Sequence, residues 1–426
     1  LNGLPIASPN PDNKLIPLDI FPSSTIQNIT VSKVYEASSF ADYSGAHVDI
    51  STKEGADNED FFNISFSTGG YFHTLSSDFY RMDGRSLFLT PSLDPAVRNM
   101  NSSEFEAYSR SKDIFGTSFR TYGRKPLPDL NGSIGIGKNF DVGGQTLSVL
   151  ASASIKTGDE TMTNAFYRTY EASSQGNLKS DYNYDSYKQK LDIAALVDID
   201  YTLRESDNIG FTAFFARNAS DTHLDRRGFD YQETYDLVGS NQVTHIYTLQ
   251  NYQLSGHHDL DAWDIDWGAS YSLTSSDEPD RRQVMYRRGT DGQLRFFDLN
   301  QQETQRYFGS LDENELVADI KVTYNFNESD RLRFGLTRAF RTTRFYYNLR
   351  DLDEQISDVH NPAAYLNFEN VSNGLITIKK SQYARDQYDA LNLIGAAFVE
   401  ADLHFGEKWQ LNAGLRFEAS RQSGDY

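Results

Sequence analysis

The chain has 426 residues, with 60 acidic side chains against 40 basic ones and a net charge of −20, which argues against nucleic acid as a partner. Cysteine is absent, excluding disulfides and thiolate metal sites, although the length would suit two or three domains. A mean hydropathy of −0.59 and no run near the roughly 20 apolar residues of a spanning helix exclude a helical membrane protein. A membrane β-barrel stays open, because only alternate strand residues must face lipid.

Residues 1 to about 55 form a small mixed module. Thr25–Val31 and Ala46–Thr52 read as short strands, and Ser8–Lys14 reads as a Pro- and Asn-rich loop. No signal peptide or start methionine precedes Leu1, and the final residues Gln422–Tyr426 stop as a strand reaches a loop, so both ends read as cuts.

From Phe62 onward apolar residues recur with a period of two, the signature of strands with one dry and one wet face. Phe62, Ile64 and Phe66 alternate with Asn63, Ser65 and Ser67. Ile134 and Ile136 lead to a tight turn at Asp141–Gln145, and Leu147 to Ile155 climb away. Leu191 to Tyr201 descend to Arg204–Asn208, and Ile209 to Phe215 climb again. Ile246 to Leu254 is a weaker strand, followed by Trp263 to Leu273. Leu316 to Phe326 descend to a turn at Asn327–Asp330, with Leu332 to Leu336 beyond it. Val399–Phe405 and Trp409–Ala419 form the clearest hairpin, with roughly eleven strands in all.

Short turns follow Phe140, Tyr201, Leu260, Phe326 and Phe405. Long polar segments, read as loops, fill approximately 73–130, 157–187, 218–243, 275–311 and 341–388. Short turns on one rim and long loops on the other suit an outer-membrane barrel. Phe140, Tyr201, Trp263, Phe326, Phe405 and Trp409, all beside short turns, read as an interfacial girdle.

Several motifs then resemble the TonB-dependent outer-membrane receptors. Leu1–Ile6 is similar to that family's "dGvPi" piece, Leu18–Lys33 to its "ip...I..IeV.K", and Tyr43–Lys53 to its "ygGgvvnItTK". The closing hairpin resembles "Y.q.d....w.L.aGlRyE". The usual Gly-Gly after the spacer is Gly45-Ala46 here. The resemblance implies an all-β fold: residues 1–55 as the C-terminal part of a plug domain, and residues 56–426 as the N-terminal half of a transmembrane antiparallel barrel. The family closes its barrel with about twenty-two strands.

The resemblance implies active import of a scarce nutrient across the outer membrane of a Gram-negative bacterium. Siderophore-bound iron, haem, cobalamin, glycan and peptide all stay open as cargo. The implied partners are the TonB–ExbB–ExbD complex and outer-membrane lipid. The spacer of glycan importers that carry a lipoprotein lid is not recognisable in Val34–Ser44, and a surface lipoprotein stays open as a further partner. Ser8–Lys14 matches an apical plug loop, with Asn10, Asn13 and Lys14 presenting polar groups to ligand; a solvated turn is the alternative. A passive porin or adhesin-type barrel would account for residues 56–426 as well.

Neither an enzyme activity nor a cofactor or metal site is expected. Gly132–Gly137 lies within a strand with no helix following, so a row of small lumen-facing residues explains it better than a phosphate loop. His257-His258-Asp259 lacks further ligands, and the acidic pieces at Asp291 and Asp351–Glu354 read as solvated loops. Phe166, Tyr167 and Tyr170, with Tyr182 and Tyr184, are candidates for stacking on a ligand or for packing loops together. Arg281 and Arg282 are candidates for meeting an anionic ligand, or for pairing with Asp277 and Asp280.

Overall fold

A computed structural model describes residues 1–6, 21, 25–33, 37–38, 46–53, 60–83, 87–89, 93–172, 176–204, 206–260, 262–297, 304–324, 326–349, 355–356, 358–381, 387–405 and 409–425, the backbone alone at 326–349, 355–356, 404–405 and 409–410. The protein is all-β, 71% strand and 8% helix. No described helix is long and apolar enough to cross a membrane.

Strands β1 (Ile26–Ser32) and β2 (His47–Thr52) pair as a separate antiparallel ribbon. The main sheet begins with β3 (Phe61–Gly69). Between it and β6 (Asp129–Val142) lie α1 (Phe72–Ser76), β4 (Phe79–Met82), α2 (Pro95–Asn99), α3 (Ser102–Ser111) and β5 (Thr121–Arg124). Next come β7 (Gln145–Tyr170), β8 (Leu178–Arg204), β9 (Asp207–Asp230), β10 (Tyr235–Leu260) and β11 (Trp263–Arg288). The short β12 (Leu294–Phe296) precedes β13 (Gln305–Tyr324) and β14 (Phe326–Leu349). β15 (Gln355–Ile356), α4 (Phe368–Ser372), β16 (Ile376–Ser381), β17 (Gln387–Phe405) and β18 (Trp409–Asp425) complete the series.

Eleven strands follow one antiparallel path, β3-β6-β7-β8-β9-β10-β11-β13-β14-β17-β18. The turn between β6 and β7 needs left-handed backbone at both central positions, and Gly143 (φ 67°) and Gly144 (φ 82°) provide it. Residues 327–330, expected as a turn, instead open β14, and Tyr324 pairs with Phe326 across a single residue. The expected closing hairpin is present, with Leu403 opposite Leu411 and Val399 opposite Leu415.

Three of the five segments expected as long loops, 157–187, 218–243 and 275–311, are largely strand. β7 to β11 run 24–27 residues each, through 157–170, 178–187, 218–230, 235–243 and 275–288. Apolar alternation stops there, but the ladder of backbone hydrogen bonds does not. Strand geometry outlasts the hydrophobic pattern that reveals it.

The two faces of the sheet differ. On one, here the apolar face, large side chains stand exposed in rows: Phe62 (66%), Ile64 (74%) and Phe66 (73%) on β3, then Ile134 and Ile136 on β6. The rows continue through Ile155, Val197, Phe211, Leu254, Trp263, Tyr271, Leu316 and Ile320 to Leu415 and Phe417. Near the short turns Phe140, Trp263 and Tyr324 belong to this face, and the Trp263 and Tyr324 rings lie 4.5 Å apart. The side chains of Phe326, Phe405 and Trp409, also expected in the girdle, lie outside the described ones.

The opposite, polar face buries hydrogen-bonded groups. Thr212 donates to Asp198 (2.8 Å), Asn251 to Ser272 (2.8 Å) and Ser148 to Asn139 (2.6 Å). The N-terminal segment sits on this face. Leu1, Phe21 and Ile50 pack with Leu150, Leu196, Phe214 and Leu249, and the Phe21 and Phe214 rings stack at 5.6 Å. Asn2 donates to the Gln253 side chain (3.0 Å), which donates to the Leu1 carbonyl (2.9 Å). Farther along, the Ser38 amide donates to Glu400 (3.3 Å).

The stretch between β3 and β6 folds as a cap over the far end of the sheet. It crosses from β7 to β13 and returns, with Phe79 edge-on to Tyr187 and Met82 bonded to Gln242 (2.9 Å). The α3 helix carries a capping box of Asn101 and Glu104. Met82, Val97, Phe105 and Phe119 form a core with Val284, Tyr286 and Phe296 of the sheet and with Ile376 and Ile378 of β16.

The cap lies on the apolar face, opposite the N-terminal segment. Leu87 packs on Leu191, Ala219 and Ile246, whereas the N-terminal segment packs on Leu196, Phe214 and Leu249. Each strand thus contributes residues of opposite parity, and the register between them is unbroken. Opposite parity on one strand means opposite faces.

Candidate functional site

A hollow of about 1250 Å3 lies on the polar face at the far ends of β7, β8 and β9. Tyr167, Tyr170, Tyr182 and Tyr184 line it with Met162, Leu224, Arg226 and Asp230. A bulge decides which aromatics enter. The register of β7 on β8 shifts between Met162 and Ala165, where Asn164 takes φ 60° and its amide donates to Asp185 (2.7 Å). Beyond the bulge the odd residues of β7 share a face with Tyr182 and Tyr184, so Tyr167 turns into the groove.

The charges of the groove already serve neighbours. Arg226 donates to the Met285 sulfur (3.2 Å), and its guanidinium sits 5.9 Å from the centre of the Tyr182 ring. Burial lowers its pKa, partly offset by Tyr182. Asp230 accepts from the Tyr182 hydroxyl (3.3 Å) and from the amides of Gln232 (3.0 Å) and Glu233 (3.2 Å). Lys179 and Glu233 add one charge of each sign. The wall therefore offers ring faces and hydroxyls with balanced charge. Such a surface stacks on a ring-shaped or apolar ligand and orients its polar groups.

The residues singled out in the sequence divide. Tyr167 and Tyr170 come together in the groove, but Phe166 stands on the other face with the Arg168 guanidinium 5.2 Å from its ring. Arg281 and Arg282 belong to β11 rather than to a loop, and they also part. Arg282 is 2% exposed and donates to the carbonyls of Asp83 (3.0 Å) and Ser118 beneath the cap. Arg281 pairs with Glu278 (3.0 Å) and lies 4.3 Å from the Tyr307 ring centre. A bulge at Glu278–Arg281, with Asp280 at φ 56°, sets this division. Arg282 is thus a fastening of the cap, not an anion receptor, because a ligand cannot reach a side chain that buried. Asn10, Asn13 and Lys14 lie outside the described residues.

Arg226, Met162, Leu224 and Asp230 were not singled out in the sequence, since all four fall in segments read as polar loops. Apolar alternation stops in those segments, so no periodic signal in the sequence marked these residues. The histidines are engaged in pairs: His257 with Asp266 (2.7 Å), and His258 accepting from Trp267 (3.1 Å). Among the described residues no cluster of three or more metal-ligating side chains occurs.

A second hollow of about 360 Å3 separates Asn2–Leu4 from the polar face. Asp49, Asp198, Asp200, Asp266 and Asp319 line it with Lys321, making an acidic seam beneath the N-terminal segment.

No protein-family model, no curated protein and no solved structure matches the chain.

Proposed function

We propose that the chain is the plug end and part of the barrel of an outer-membrane receptor that imports a scarce nutrient by TonB-dependent transport, with no catalytic step. One observation carries the reading: the sheet presents exposed apolar rows on one face and seats the N-terminal segment on the other. The rows run along β11 from Trp263 to Leu273, the length a tilted strand of about 9–11 residues needs to cross lipid. Aromatics near the short turns suit the interface. The polar face would line the lumen, with the N-terminal segment as its obstruction.

Ligand would enter the tyrosine groove, beyond the N-terminal segment from the short turns. Pull on that segment from the turn side would then part it from the sheet along the acidic seam. A passive barrel would share the belt and the groove, but the segment seated on the polar face favours gated uptake.

The test is growth of a deletion strain on single iron, cobalamin, glycan or peptide sources, with and without TonB. A defect on one source that loss of TonB reproduces is the expected result. A defect independent of TonB would replace the receptor with the passive barrel.

A further inference from the structure

The cap's exposed apolar residues border the apolar belt. Leu87 is buried against Leu191, Ala219 and Ile246, with Ile193 of the belt packed beside them. Its neighbours Phe88 and Leu89 are exposed, Leu89 at 70%. Arg217, on the same face, donates to the Leu87 carbonyl (3.3 Å) and to Thr248 (3.2 Å), marking where the belt ends and the cap begins. At the return of the cap, the Leu127 amide donates to Asp159 (2.8 Å), four residues beyond Ile155 on β7, and the Leu127 side chain is exposed. At its start, Phe72 is 87% exposed just beyond the apolar row of β3. Three separate parts of the cap thus present large apolar groups at the margin of one face.

We propose that this margin of the cap rests in the headgroup layer of the membrane, with Phe72, Phe88, Leu89 and Leu127 as its anchors. The occupant is lipid because the anchors continue the belt on the same face instead of forming a separate patch. Aromatic and aliphatic groups beside an arginine match the chemistry of that layer, where apolar bodies sink and charged ends reach water. The placement depends on the membrane reading of the belt, and the experiment separates the two.

The absence of cysteine permits single spin labels at F72C and L89C, at V197C in the belt, and at A107C on the exposed side of α3. Each labelled protein is reconstituted in phospholipid vesicles, and collision of the label with oxygen is compared with collision with a water-soluble nickel chelate. The expected ratio of oxygen to chelate is highest at V197C, lowest at A107C, and intermediate at F72C and L89C. Ratios at F72C and L89C equal to that at A107C, with V197C still in lipid, overturn the cap placement alone. Labels at F72C and L89C shielded from both reagents indicate a protein neighbour and overturn it too. A water-exposed V197C overturns the membrane reading itself.

Discussion

Tyr167 and Phe166 are neighbours in sequence with different surroundings. The bulge at Asn164 turns Tyr167 into the groove and leaves Phe166 on the opposite face. Truncating a stacking aromatic removes about 0.5–1.5 kcal/mol of specific contact beyond the area it covers. Tyr167→Ala is therefore expected to weaken binding of the proposed ligand by about 2- to 13-fold, and Tyr170→Ala similarly. Phe166→Ala should leave binding unchanged. Isothermal titration with the ligand identified by growth would measure both, and equal losses at Phe166 and Tyr167 would remove the groove from the site. The pair also marks a limit of sequence reading. Aromatic content is visible in a string, but the face each ring takes depends on one left-handed residue three positions away.

The cap is fastened to the sheet by buried polar groups as well as by its core. Arg306 donates to both oxygens of Asp280 (2.9 Å each) and to Thr117 (2.9 Å), and Lys380 donates to the carbonyls of Val97 (3.1 Å) and Met100 (2.7 Å). One carboxylate works against this docking. Burial, with Asp312 beside it, pushes Asp277 up to about 6, and Arg217 and Arg98 only partly offset this. Between its ordinary value of 3.8 and about 6, the folded protein holds a proton that the unfolded chain has released. This contribution is therefore most favourable at low pH, declines as pH rises to about 6, and is flat above. Asp277→Asn should remove the penalty, strengthening the cap region at pH 8 by up to about 3 kcal/mol and having little effect at pH 4. Hydrogen exchange of the cap amides at both pH values measures it; equal protection in the two proteins at pH 8 would refute the assignment.

Across the whole molecule, the described residues of the N-terminal segment meet the sheet through an apolar cluster and side-chain hydrogen bonds, and an acidic seam runs beneath Asn2–Leu4. The proposed gating would require this segment to part from the sheet along that seam. A short thiol-reactive crosslinker between Asn2→Cys and Gln253→Cys, whose native side chains are hydrogen-bonded at 3.0 Å, should abolish uptake, while ligand binding at the groove persists. Reversing the crosslink should restore it. Full uptake by the linked protein would mean that this segment does not gate the path.

Period-two alternation was enough to determine the all-β class, the turn at Gly143–Gly144, the closing hairpin and roughly eleven strands. Each follows from local stereochemistry, which places successive side chains on opposite faces. Tertiary structure alone decided how far the strands continue, because beyond the alternating stretches one face is covered by the cap and the sequence there shows no period of two. It also decided that the described residues between β3 and β6 fold across the apolar face, and that Arg282 is buried while Arg281 is not. Those outcomes rest on contacts between residues far apart in the chain and on single-residue bulges, which reverse every face beyond them and leave almost no mark on composition.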